Sequence, residues 1–160
     1  MSNYPIWINM PASPAPGTAR ALDTFVKLRR AVNAIGARLN PALLKEHRLT
    51  ETQFGVLEAV HHKGPMAQAR LCEKLLVSGS NLTTVVDNLE RRGWVRRSAD
   101  PDDRRAHRVE LTPSGRQIIS RAFPGHATRI TQVLRHLTRE EQVELGRLCR
   151  KLGRAVAGTV

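Results

Sequence analysis

Two cysteines in 160 residues, Cys72 and Cys149, are too few for a disulfide framework. Long apolar runs are also missing, so nothing in the chain has the length to span a bilayer. The opening MSNYPIWINMPASPAPG has no basic start and no continuous apolar region, which excludes a secretion signal; the expected compartment is cytoplasmic. Catalytic signatures are absent too. No Gly-x-Ser-x-Gly, no phosphate-binding loop ending in Gly-Lys-Ser/Thr and no His-Glu-x-x-His occurs, so an enzyme is not expected. His61, His62, His126 and His136 are scattered through helical segments without a close cysteine pair. Their ordinary reading is solvent-facing or capping; a metal-sensing cluster is the alternative, and no metal or other cofactor is expected.

Acidic residues are scarce relative to basic ones, 14 against 26, which leaves a net charge of +12. Such a chain is drawn to nucleic acid or to a membrane surface, and without a spanning segment nucleic acid is the expected partner. The charge is uneven. Residues 1–48 and 116–160 carry most of it, while 49–115 is almost neutral. Within that middle section, however, residues 91–108 hold seven arginines against three aspartates.

What is present concentrates between Val77 and Gly115. Ser78 is suited to cap a helix that ends at Gly93, and Leu82, Val85, Val86 and Leu89 give that helix one apolar face. The opposite face carries Ser80, Thr84, Asp87 and Arg91, with Asn88 at its edge. Trp94 to Arg97 and His107 to Leu111 then alternate as short strands around the turn-forming DPDDRR. Arg104 and Arg105 at the tip suit a minor groove or a phosphate clamp; Asp102 or Asp103 can also hold one of them and stiffen the loop. Thr112-Pro113 opens the next helix. A recognition helix followed by a wing is therefore expected, with Ser78, Ser80, Asn81, Thr83, Thr84, Asn88, Arg91, Arg104, Arg105 and Arg108 as the DNA-contacting set. The early turns of the helix lack Arg and Lys, so sequence readout would rest on Asn and Thr contacts, thymine methyls and groove shape.

Long amphipathic stripes flank this module. Phe25, Leu28, Val32, Ile35, Leu39 and Ala42 step by three and four along a helix from Thr18 to about Leu44. At the other end Thr138 and Glu141 form a capping-box pattern ahead of Leu145, Leu148, Leu152 and Val156. Between them a helix from Pro113 to about Leu137 is expected to break at Phe123-Pro124-Gly125. The winged module needs only part of these stripes, which points to a twofold dimer joined by the terminal helices. The fold class expected is mainly α with a small β-hairpin wing. Its parts are a flexible tail (1–19), an N-terminal dimerisation helix (20–48), the winged helix-turn-helix (49–115) and C-terminal dimerisation helices (116–160). Residues 1–19 are read as a disordered tail, or as a segment packing IWI against the body or a partner subunit.

LTETQFGVLEAV at 49–60, ARLCEKLLVS at 69–78, VVDNLERRGWVRR at 85–97 and DPDDRRAHRVELTPSG at 100–115 together resemble the winged helix-turn-helix of the multiple-antibiotic-resistance regulator (MarR) family of bacterial transcription factors. With the flanking helices, the resemblance covers roughly residues 20–157. It implies a homodimer on a pseudo-palindromic operator, usually a repressor released by a small molecule or an oxidant. It also implies a ligand cleft between the dimer helices and the winged module, for which Phe54, Leu57, His61 and Phe123 are the candidates. The FPGH run and the wing pattern are similar to members that answer phenolic or quinone-like compounds. The resemblance puts a small buried residue at Cys72, so the thiol is read as packing; a redox switch there is the alternative. A winged module for nonspecific DNA binding or protein interaction is the other reading left open.

Overall fold

The computed structural model describes residues 15–99 and 107–157, apart from the side chains of Pro16 and Ala157. The chain divides into two compact units, residues 1–37 and 38–160. Helix α1 (Pro16–His47) starts within the stretch expected to be tail. Proline is suited to that first helical position, because the amide hydrogen it lacks would have no partner there. Within the first unit Lys27 pairs with Asp23 at 2.6 Å, and Leu22, Phe25 and Val32 stay exposed.

The second unit opens with the end of α1, which buries Leu39 and Leu43. It continues through α2 (Glu51–Lys63), β1 (Met66–Ala67), α3 (Gln68–Leu75), α4 (Gly79–Arg91), β2 (Val95–Ala99), β3 (His107–Leu111), α5 (Pro113–Leu134) and α6 (Arg139–Ala157). Three of these helices begin on a threonine or serine whose hydroxyl accepts from the third backbone N–H of the helix: Thr50 for α2, Ser78 for α4 and Thr112 for α5. At α2 the bond is reciprocated by Gln53, and ahead of α6 Glu141 returns the bond of Thr138, so the expected capping box forms there.

One hydrophobic core serves α2, α3, α4, the sheet and α5. Leu57, Leu71, Leu82, Val86, Leu89, Val109 and Ile119 have no exposed surface at all. Each contributes roughly 1.5–3 kcal/mol by leaving water. The sheet order is β1-β3-β2, antiparallel throughout, with Val95 opposite Leu111 and Arg97 opposite Val109. Strand β1, in which Met66 faces Val109, was not expected from the sequence: two residues carry no alternation to read. A second correction concerns α5, which runs through Phe123-Pro124-Gly125 without a break. The carbonyl that Pro124 deprives of a donor belongs to Ser120, an exposed residue, so water can satisfy it. Ile119 and Ala122, fully buried, hold the helix to the core on the other side.

Two glycines are dictated by geometry. Gly93 ends α4 with a φ of 68°, a left-handed conformation that lets the chain turn directly into β2. Gly115 lies against the backbone of Trp94, where an added Cβ would sit 1.8 Å from the carbonyl oxygen. That approach locks the start of α5 to the base of the hairpin, and Thr112 adds to it by donating to the Gly93 carbonyl at 2.6 Å.

Candidate nucleic-acid interface

Helix α4 buries Leu82, Val85, Val86 and Leu89 and turns Ser80, Asn81, Thr83, Thr84 and Asp87 outward. The outward polar groups are partly committed. Ser78 is used as the cap, accepting from the Asn81 amide at 3.3 Å. Thr83 donates to the Gly79 carbonyl and Thr84 to the Ser80 carbonyl, at 2.9 and 3.2 Å. Both therefore present methyls and lone pairs rather than hydroxyl hydrogens. Gln68 of α3 donates to Thr83 at 2.9 Å, which connects the two helices of the helix-turn-helix. Asn88, half-buried, donates to the Thr84 carbonyl at 2.9 Å and accepts from Arg91. The Asn81 side chain has no partner among the described residues, and it stands on the first turn, where a helix inserted end-first into a groove reaches deepest.

The wing is fastened to this helix by a residue absent from the sequence-derived set. Arg97 of β2 donates to Asp87 at 2.5 Å and to the Glu90 carboxylate, and its own amide donates to Glu90 at 3.1 Å. Burial alone would lower the Arg97 pKa, but the bonds to Asp87 and Glu90 outweigh it and raise it. The charge of Asp87, on the face expected to meet DNA, is thereby neutralised. No periodicity reveals this contact, because its partners lie on either side of the Gly93 turn. A second clasp involves Arg92, whose guanidinium stacks 3.5 Å from the centre of the Trp94 ring and donates to the Arg48 carbonyl at 2.8 Å. It ties the end of α1 to the end of α4. Across the hairpin Arg96 pairs with Glu110 at 2.7 Å. Arg108 is half-buried on β3, whereas Arg104 and Arg105, with Asp102 and Asp103, lie outside the described residues.

On the other side of α2 is a cleft of about 720 Å³, lined among others by Phe54, Glu58, Leu75, Val77, Phe123 and His126. Phe54 and Phe123 are brought together here as the sequence reading grouped them. Leu57 is fully buried in the core and His61 is exposed, edge-on to His62 at 5.2 Å, and neither lines the cleft. His126, not singled out from the sequence as a cleft residue, packs against Phe54 with ring centres 4.5 Å apart and planes tilted by 52°. Its Nδ1 is buried without a hydrogen-bond partner among the described residues. Burial first and Arg129 second hold its pKa below the ordinary value, so the ring is neutral near pH 7. Arg129 itself is paired with Glu46. Cys72 is half-buried and packed against the core, and Cys149 is exposed on α6. Among the described residues no three His, Cys, Asp or Glu side chains gather as a metal site, and no helix is long and apolar enough to cross a membrane.

A three-stranded sheet closing a helix-turn-helix, with a polar outer face on the second helix, defines a winged-helix DNA-binding protein. Comparison with known proteins identifies the family: the chain belongs to the MarR family, whose model matches residues 49–107. It is 35% identical over 128 residues to the HTH-type transcriptional regulator MhqR of Bacillus subtilis, covering 80% of this chain and 87% of that one. Among solved structures it is similar to the MarR family regulator Sco3205 of Streptomyces coelicolor in complex with DNA, with a TM-score of 0.77 over 92% of each chain at 23% identity. It is also similar to BpsR of Bordetella bronchiseptica, whose DNA binding is regulated by 6-hydroxynicotinic acid, with a TM-score of 0.73, 27% identity, and 81% and 98% of the two chains covered. The protein is thus a transcriptional regulator and not an enzyme.

Proposed function

We propose that this regulator is a homodimeric repressor that holds a pseudo-palindromic operator and releases it when a small aromatic molecule, phenolic or quinone-like, enters the cleft beside α2. The observation that carries the DNA half is the polar outer face of α4, with Arg97 fastening the wing to it and cancelling the one carboxylate on that face. Ser80, Asn81, Thr83 and Thr84 would meet base edges. Arg91, Arg104, Arg105 and Arg108 would meet phosphates or the minor groove. Ser78 would act through its cap, and Asn88 through its hold on Arg91.

Support for the dimer comes from α6. Every described side chain from Arg139 to Val156 is exposed, including Val143, Leu145, Leu148, Leu152 and Val156. A 19-residue amphipathic helix with no buried side chain among the described residues needs a second surface. A twofold partner would supply it and would set two α4 helices about one helical turn of DNA apart. Support for ligand release comes from the place of the cleft: Leu75 and Val77 of its wall lead directly into Ser78, the cap of α4. A molecule seated there bears on the base of the recognition helix. Cys72, packed against the core, is read as a filling group rather than as the sensor.

The test is a titration of a fluorescent inverted-repeat duplex in the presence of excess unrelated DNA, with sedimentation of the same samples. A dimer that keeps its operator against competitor supports the proposal. A monomer bound equally to both DNAs overturns it in favour of a nonspecific module.

A further inference from the structure

The cleft is unevenly charged. Its wall holds Phe54, Phe123 and the neutral imidazole of His126, and two carboxylates, Glu51 and Glu58. Glu51 is exposed and accepts from Asn40 at 2.9 Å. Glu58 is half-buried, and no hydrogen bond or ion pair engages it among the described residues. Among the described residues no Lys or Arg lines the cleft, and Arg129, whose charge acts on His126, is paired with Glu46. We infer that Glu58 is a charge filter for this cleft, admitting a neutral ring that carries a hydroxyl and rejecting aromatic carboxylates.

A neutral phenol gives up little hydration on entry, and its single O–H can donate to Glu58 while its oxygen accepts from Nδ1 of His126 in the tautomer that carries the proton there. A hydroxybenzoate brings a further negative charge into a space lined by two carboxylates and by no Lys or Arg among the described residues, and desolvating that charge is costly. An aromatic ammonium finds two carboxylates, Glu58 and the exposed Glu51 that Asn40 already engages, but has three N–H groups to satisfy, and the remaining lining is mostly apolar, so its lost hydration is only partly replaced. Neutral hydroxyaromatics are therefore preferred over both ions. This inference rests on the reading of the cleft as the effector site and adds to it the charge class and the residue that enforces it.

Three 4-substituted phenols separate the outcomes: 4-methylphenol, 4-hydroxybenzoate and tyramine, titrated calorimetrically into the full chain and into Glu58→Gln, which keeps the shape and removes the charge. The expected result is that the wild-type protein binds 4-methylphenol at least about tenfold more tightly than 4-hydroxybenzoate, and that Glu58→Gln narrows this gap by gaining acid affinity. Equal or tighter binding of the acid overturns the filter, as does a gap that survives in Glu58→Gln. Tyramine binding most tightly and losing that lead in the variant overturns it in favour of a cation site. The same titrations in the presence of operator keep the two readings apart. Binding of 4-methylphenol with the expected charge order but without release of DNA leaves the filter standing and refutes ligand release; no binding of any ring refutes both.

Discussion

Replacing Arg97 with Ala tests the coupling between wing and recognition helix. The guanidinium is mostly buried and engages Asp87 and Glu90, whose side chains are half-exposed. Exposed ion pairs contribute about 0.2–1 kcal/mol each, and solvent around the two carboxylates keeps these pairs in that range. Losing both also leaves Asp87 and Glu90 as like charges one helical turn apart, a further few tenths of a kcal/mol. The stability loss expected is about 1–2 kcal/mol, read as a lower urea midpoint with an unchanged slope. The effect on DNA should be larger than on folding. The variant frees the wing and also bares a carboxylate on the face that approaches phosphate, so operator affinity should fall about ten- to a hundredfold at moderate salt. Adding Asp87→Asn to Arg97→Ala should restore the electrostatic share and leave the share due to wing position. Fluorescence anisotropy with labelled operator across a salt series measures both. Wild-type affinity in the single variant, at whatever stability, would refute the idea that this clasp presents helix and wing together.

Thr84→Ala and Asn81→Ala should each narrow the preference for operator over random DNA by ~1–3 kcal/mol while total affinity falls less, because a lost base contact weakens only the specific complex. Competition titration decides this, and uniform weakening on all sequences would move these residues to phosphate contacts. Leu148→Asp, on the exposed apolar face of α6, should shift the protein from dimer to monomer in sedimentation at micromolar concentration; a dimer that persists would place the interface elsewhere. His126 introduces a pH dependence. Its folded pKa lies below the ordinary 6.5, through burial first and Arg129 second, so its contribution to stability is present above that value and is lost as the pH falls through the folded pKa. The urea midpoint should therefore drop between pH 7.5 and 5.5, and His126→Gln should flatten that drop; an identical drop in the variant would assign it to other groups.

Local chemistry made most of the architecture legible in advance. Ser78, Thr112 and Thr138 cap the helices that follow them, because a hydroxyl beside free amides is a local match needing nothing from the rest of the chain. Gly93 and the alternation of Val109 with Leu111 marked the wing for the same reason, and the apolar stripe of α4 correctly chose which face turns outward. Tertiary structure decided what depends on residues far apart in the chain. Strand β1 exists only because β3 offers it an edge, and α5 stays continuous across Pro124 because the core holds Ile119 and Ala122 while water reaches Ser120. The grouping of Phe54 and Phe123 came from the family resemblance, yet the exclusion of Leu57 and His61 and the entry of Glu58 and His126 followed from which faces of α2 and α5 line the cleft. Arg97 is the clearest case. In sequence it is one of seven arginines between 91 and 108, and only the turn that lays β2 beside α4 sets it against Asp87 and Glu90 instead of against DNA.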